Sequence, residues 1–179
     1  MMEKDIQEVL FTKEVIHDKV KELGKKITEE YNNKEVVVIG VLKGANIFLG
    51  DLVREINLPV AIDFMAVSSY GFSTESSGVV RILKDLDLEI EDKHVLIIED
   101  IIDTGLTLKY LTENLKSRKV ASLKICTLLD KPLRRKCDLE IDYIGFEIPD
   151  EFIVGYGIDY AEKYRNLPFI ATLKREVYE

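Results

Sequence analysis

The stretch Val95-Leu96-Ile97-Ile98-Glu99-Asp100-Ile101-Ile102-Asp103-Thr104-Gly105-Leu106-Thr107 decides the fold. Val95 to Ile98 is an apolar run without alternation, the pattern of a strand buried on both faces of a parallel sheet. Beyond the turn, Leu108, Leu111 and Leu115 recur at helical spacing. Between strand and helix stand the acids Glu99, Asp100 and Asp103, followed by Thr104, Gly105 and Thr107. In open α/β sheets the carboxyl end of a strand is where ligands bind. A loop with two hydroxyls that opens a helix presents free backbone N–H groups and the positive end of the helix dipole, a set suited to phosphate. Glu99 and Asp100 cannot serve that phosphate. Ionised carboxylates only accept hydrogen bonds, so they suit sugar hydroxyls or a hard cation such as Mg²⁺. A phosphorylated sugar satisfies both halves. The alternative is an ordinary strand, turn and helix capped by Asp103 or Thr104, which leaves a buried strand ending in uncompensated acids.

The surrounding pattern agrees with an α/β layer structure. Thr12 is placed to cap a helix whose apolar positions Ile16, Val20, Leu23, Ile27 and Tyr31 recur at steps of three and four, ended by Asn32-Asn33. Glu35 to Leu42 reads as a buried strand, and a helix starting near Ala45 carries Phe48, Leu52 and Ile56 on one face. Strand, tight turn, helix and strand imply a right-handed crossover. The turn Leu42-Lys43-Gly44-Ala45 can bring backbone N–H groups and an ammonium onto an anion, or be an ordinary turn with a solvated lysine. Val60–Val67 and Val79–Leu83 form a strand pair whose tip, Ser68 to Gly78, is polar and small, and is predicted to work as a mobile lid or to be disordered. Asp85 to Asp92 reads as a solvated acidic connection. Ser122–Leu129 is a further strand, with Leu123, Ile125 and Thr127 on one face, ending in Asp130-Lys131-Pro132. Two short strand patterns flank the Pro149-Asp150 turn, and Leu167–Leu173 supplies a last strand.

Composition narrows the function classes. A chain of 179 residues with 46% hydrophobic residues supports one domain with one sizeable core. Its 33 acids against 25 Lys and Arg give net −8 and form no basic stripe, which argues against nucleic acid as a partner. Cys126 and Cys137 show no metal or CxxC spacing and are expected as reduced thiols. With no charged-then-apolar leader and no apolar run near about 18 residues, a cytoplasmic location away from membranes is expected.

Glu99 to Thr107 resembles the phosphoribosyl-pyrophosphate signature of type I phosphoribosyltransferases: two acids, two aliphatics, then D-[TS]-G-x-T. The string Gly145-Phe146-Glu147-Ile148-Pro149-Asp150-Glu151-Phe152-Ile153-Val154-Gly155-Tyr156-Gly157-Ile158-Asp159-Tyr160 is similar to the hypoxanthine-guanine branch of that family. The resemblance implies a parallel-dominated twisted sheet flanked by helices (core roughly 34–130) with a small hood from the N-terminal segment and roughly 131–179. It implies transfer of a phosphoribosyl group to hypoxanthine or guanine, giving IMP or GMP, with Mg²⁺ as cofactor and a homodimer or homotetramer as the assembly.

The same resemblance assigns roles. Glu99 and Asp100 would face the ribose hydroxyls and Mg²⁺, with Asp159 helping to hold a second ion. Ile102, Asp103, Thr104, Gly105, Leu106 and Thr107 would surround the 5′-phosphate, and Asp103 would be the general base. Lys43 and Gly44, following an expected cis peptide after Leu42, would meet pyrophosphate together with Ser69, Tyr70 and Arg165. Lys131 would read the purine O6, Phe152 would stack on the ring, and Ile153 and Asp159 would read its edge by their backbone. Two positions depart from the family pattern. Ala45 stands where relatives often carry glycine or serine, in LKGG or LRGS, and Leu106 stands where some carry lysine or arginine. Three readings remain open: a hypoxanthine/guanine transferase, a transferase for xanthine, adenine or a pyrimidine, and a phosphoribosyl-pyrophosphate-sensing regulator.

Overall fold

The computed structural model describes residues 2–69 and 80–178. Of the tip predicted as a lid, Ser68 to Gly78, the first two residues instead close a paired strand, and Tyr70 to Gly78 lie outside the described residues. In chain order the elements are strand β1 (Ile6–Phe11), helix α1 (Lys13–Glu30), β2 (Val36–Leu42), α2 (Ala45–Glu55), β3 (Val60–Ser69), β4 (Val80–Lys84), β5 (His94–Ile102), α3 (Leu106–Lys116), β6 (Ser122–Asp130), β7 (Tyr143–Glu147), β8 (Ile153–Val154), β9 (Ile170–Leu173) and α4 (Arg175–Tyr178). Thr12 caps α1 as expected, its hydroxyl accepting from Val15 N at 3.4 Å, and Ile16, Val20, Leu23, Ile27 and Tyr31 are all buried.

A six-stranded sheet runs in the order β4-β3-β2-β5-β6-β7, parallel except for the antiparallel edge strand β4. Its central strand β5 explains the unalternating apolar run. Leu96 and Ile98 enter one core with Ile16, Leu23, Phe48 and Leu52 of α1 and α2. Val95 and Ile97 enter a second core with Leu108 and Leu111 of α3. Each of these fully buried side chains contributes roughly 1.5–3 kcal/mol over an exposed one. A strand with helices on both faces has no polar side to show.

Two expectations need correction. The central strand does not stop at Ile98. β6 supplies ladder partners as far as Asp130, with Glu99 opposite Thr127, Ile101 opposite Leu129 and Ile102 opposite Asp130. Glu99 and Asp100 therefore sit inside the sheet's last pairs rather than in the turn. The connection over Asp85 to Asp92 is likewise not simply solvated. The buried Asp63 carboxylate accepts Asp87 N at 2.8 Å and Leu88 N at 2.9 Å, Asp85 pairs with Arg118 at 2.8 Å, and Ile90 is buried.

The second sheet has three antiparallel strands in the order β1-β9-β8, so the two ends of the chain pair with each other. Neither β1 nor α4 is marked by periodicity in the sequence, and β8 is only two residues long. β7 joins the large sheet beside β6. Among the described residues no helix is long and apolar enough to cross a membrane.

Candidate active site

Because β2, β5 and β6 are parallel neighbours, their carboxyl ends lie side by side about 4.8 Å apart. That row brings together Lys43 and Gly44, Glu99 to Asp103, and Asp130-Lys131. The chain leaves β2 toward β3 on one side and β5 toward β6 on the other. The crevice therefore opens where the crossover direction reverses, between β2 and β5.

The Leu42–Lys43 peptide at this crevice is cis, as the resemblance implies. Gly44 then runs against Asp100 so closely that a Cβ there would fall on the Asp100 carboxylate. Asp100 Oδ1 accepts its neighbour Ile101 N at 2.8 Å. Burial lifts the Asp100 carboxyl to about 6, an effect opposed by Arg165 and reinforced by Asp159. Burial, then the adjacent Asp100 charge, pushes Glu99 well above the ordinary carboxylate range. Among the described residues neither acid makes a salt bridge. Two partly desolvated acceptors on consecutive residues of β5, neither in a salt bridge, fit hydroxyl donors and a hard divalent ion. No cluster of three potential metal ligands occurs among the described residues, so such an ion must complete its shell with substrate oxygens and water.

The turn after β5 is held in a fixed shape. Gly105 adopts φ +79°, and a Cβ there would sit 2.8 Å from Cδ of Arg135, so both conformation and space select glycine. Thr104 O is held from behind by Lys136 N at 2.9 Å, with the Cys137 thiol at 3.7 Å. Arg135 is itself anchored to the buried Asp130 carboxylate. With its carbonyl tied back, the loop leaves the first-turn amides of α3, at Leu106 and Thr107, unused by the helix.

A cleft of about 1300 Å³ lies beside this turn, lined by Ile101, Asp103, Lys131, Phe152, Ile153 and Asp159 among others. Lys131 N donates to Ile102 O at 2.9 Å, fixing the lysine beside the end of β5. Its Nζ donates to Glu151 O at 2.6 Å and lies 3.6 Å from Asp150 Oδ1, although the residue is only 8% exposed. Arg134 bridges two carboxylates: Nε is 2.6 Å from Asp103 Oδ1, and Nη1 donates to Asp150 Oδ1 at 3.1 Å.

Lys43, Glu162, Arg165 and Asp159 form the other flank. Glu162 Oε2 lies 3.1 Å from Lys43 Nζ and 3.5 Å from Arg165 Nη2, and Asp159 Oδ1 lies 2.9 Å from the same Arg165 nitrogen. The backbone that holds them bends through positive φ at Tyr156, Ala161, Glu162 and Tyr164. Gly157 N donating to Arg165 O at 2.9 Å and Arg165 Nη1 donating to Gly157 O at 2.8 Å lock it.

The chain matches the family model of the phosphoribosyl transferase domain over residues 8–161, a span that includes these strand ends and the turn after β5. The chain belongs to the phosphoribosyltransferase family. It is 58% identical to a hypoxanthine-guanine phosphoribosyltransferase of Bacillus subtilis over 100% of this chain and 99% of that protein. A crystal structure of a hypoxanthine phosphoribosyltransferase from Staphylococcus aureus superposes with a TM-score of 0.97 at 58% identity, covering 99% of this chain and 97% of that one. A hypoxanthine-guanine phosphoribosyltransferase structure from Bacillus anthracis gives 0.89 at 53% identity, covering 94% and 99%. The fold is the type I phosphoribosyltransferase fold.

Within this phosphoribosyltransferase, Asp103, Lys131, Phe152, Ile153 and Asp159 line the cleft of about 1300 Å³, while Lys43 and Arg165 meet through Glu162 on its flank. The Asp159 carboxylate is engaged by Arg165 and by Glu162 N, which donates to Oδ2 at 2.8 Å. Tyr70 lies outside the described residues. Sequence reasoning missed Arg134, Glu162, Ile101 and Tyr178. The basic run Arg134-Arg135-Lys136 just past a strand end was a readable signal for the first. Nothing local marks the others.

Proposed function

We propose that the protein is a purine salvage enzyme that transfers the 5-phosphoribosyl group of phosphoribosyl pyrophosphate to N9 of hypoxanthine or guanine, releasing pyrophosphate with IMP or GMP. The observation that carries this reading is the joint presence, in one cleft, of a buried lysine ammonium, an accessible phenyl ring and the Asp103 carboxylate. Lys131 Nζ, a donor with no acceptor capacity, matches the 6-oxo group of these bases and opposes the 6-amino group of adenine. Phe152 supplies a stacking face, worth about 1–3 kcal/mol on other base platforms. The backbone of Ile153 and Asp159 meets the ring edge, and the small β1-β9-β8 sheet is the hood over it.

The sugar phosphate occupies the row of strand ends. Amides of Gly105, Leu106 and Thr107 with the hydroxyls of Thr104 and Thr107 grip the 5′-phosphate, and Glu99 and Asp100 accept from the ribose hydroxyls. Leu106 adds no charge where some relatives place a cation, so this grip is a backbone one. Substitution at C1 of the ribose passes through an oxocarbenium-like state, and its rate comes from placement and charge stabilisation. The C1–oxygen bond to pyrophosphate breaks as the C1–N9 bond forms. The proton lost by the purine passes to Asp103, while Lys43, Gly44 N–H and Arg165 receive the charge on the departing pyrophosphate. Held between Glu99, Asp100 and substrate oxygens, Mg²⁺ would neutralise part of that charge. The assembly, on the family's pattern, is a homodimer or homotetramer working in the cytoplasm.

Separate assays with hypoxanthine, guanine, xanthine and adenine, each with Mg²⁺ and phosphoribosyl pyrophosphate, test the reading. Turnover of the first two with little of adenine is expected. Preference for adenine, or no turnover with any base, overturns it.

A further inference from the structure

Phe152 does not stand alone in the cleft. The ring of Tyr178, in the terminal helix α4, stacks on it with centroids 4.7 Å apart and planes 18° from parallel. Tyr160 meets it edge-on at 5.3 Å and 89°. Despite both contacts Phe152 remains 39% exposed, so part of its ring is still open to a ligand. Phe152 and Tyr178 line the same cleft as Lys131, Asp103 and Ile101.

Phe152 sits just before the two-residue strand β8, with its carbonyl accepting Leu173 N at 3.2 Å. α4 is moored as well. Lys174 N donates to Asp5 O at 2.9 Å, Val177 N donates to Lys174 O at 3.0 Å, and Val177 packs with Leu173 and Leu167 in a third apolar cluster. The stack thus joins the Phe152 ring of the cleft to a ring anchored at the other end of the small sheet.

We propose that Tyr178 is a positioning residue for purine binding: it backs Phe152 and sets the plane against which the base stacks. The inference rests on the purine-transferase reading. It adds to that reading a residue that never touches the reacting atoms. A platform whose orientation is fixed before the base arrives does not lose rotamer freedom on binding, and that loss is what Tyr178 spares. The alternative geometry, with Tyr178 occupying the base's own face as a plug, makes the opposite prediction for affinity.

Steady-state kinetics of Tyr178→Ala, Tyr178→Leu and Tyr178→Phe against the parent protein decide between them. For Tyr178→Ala, KM for hypoxanthine should rise roughly three- to tenfold, the size of an aromatic pair's coupling. KM for phosphoribosyl pyrophosphate and the melting temperature should stay near parental. Tyr178→Phe should restore the parental KM, and Tyr178→Leu, which keeps apolar bulk without a ring, should not. Unchanged purine KM in Tyr178→Ala overturns the inference, as does a lowered one, which is the signature of a plug. A parallel rise in both KM values overturns it too, because it marks general damage. Turnover by the parent protein tests the purine reading first. An active parent with an indifferent Tyr178→Ala sinks this inference alone, whereas a parent inactive on every base sinks both.

Discussion

The backbone of Gly44 and the carboxylate of Asp100 meet with no room for a methyl group between them, across the gap where the crossovers diverge. The turn proposed to meet pyrophosphate and the acid proposed to face the ribose are thus positioned by one contact. Gly44→Ala should push Asp100 aside while leaving the helices and sheet intact. Displacement of a reacting group by about 1 Å costs on the order of 10²-fold in rate. We expect a loss of that order in kcat/KM for phosphoribosyl pyrophosphate, with an unchanged far-UV circular dichroism spectrum. Near-parental kinetics would show that the turn relaxes freely.

Asp103 faces the cleft with Arg134 beside it, 2.6 Å from Nε to Oδ1. Asp103→Asn keeps the shape and removes the proton acceptor, so kcat should fall about 10²- to 10⁴-fold while KM for phosphoribosyl pyrophosphate changes little. Equal loss in binding and turnover would contradict a general-base role. Arg134→Gln should have a smaller effect, because Asp103 retains its carboxylate.

Lys131 is nearly buried and uses one Nζ hydrogen on Glu151 O, which leaves two donors. Lys131→Gln removes the charge, shortens the side chain and adds an acceptor oxygen beside its amide donors, so discrimination between hypoxanthine and adenine should drop by about 1–3 kcal/mol. Competition assays with both bases measure it. Undiminished discrimination would move base selection elsewhere in the cleft.

The acids of the crevice weaken the substrate-free protein as pH rises. Asp100 in the folded state holds its proton to about pH 6, whereas the unfolded chain releases it near pH 4, so the folded state binds more protons in between. Stability from this group is fully present below about pH 4 and is lost as pH rises through 6. Glu99 is shifted in the same direction. Other carboxylates, such as Asp63 and Glu30, are shifted the opposite way, so the test is a difference. Asp100→Asn should match the parent in urea denaturation at pH 4 and exceed it by roughly 1–3 kcal/mol at pH 8. A gap independent of pH would mean that the carboxyl is not desolvated in solution.

Glu162 is mostly exposed, yet it neutralises Lys43 and Arg165 together. Glu162→Gln should free Lys43 and leave Arg165 paired with Asp159 alone. KM for phosphoribosyl pyrophosphate should then fall about two- to fivefold at low salt, a gain that shrinks at higher ionic strength. A KM that rises would assign Glu162 to holding the cations in place.

Much of the large sheet was legible because its signals are local. Thr12 and the spacing from Ile16 to Tyr31 marked α1, and the unalternating run in β5 announced cover on both faces. The strand's true end was hidden, since Glu99 and Asp100 look like turn residues until β6 is known to continue beside them. The small sheet was not legible in detail. β8 has two residues, β1 finds its partner only in β9, and the left-handed bends at Tyr156, Ala161, Glu162 and Tyr164 follow from hydrogen bonds made across the loop. Arg134 and Tyr178 escaped for the same reason: their importance lies in what they touch, at Asp103 and Phe152, and not in their neighbours along the chain.

The pairing of β1 with β9 joins segments separated by almost the whole chain. Closing so long a loop is entropically costly and kinetically slow, whereas the βαβ units around β2 and β5 assemble from near neighbours. The two halves of the binding cleft should therefore mature in sequence during refolding. Competence to hold the sugar phosphate would come early, and competence to select a base only when the first and last strands have found each other.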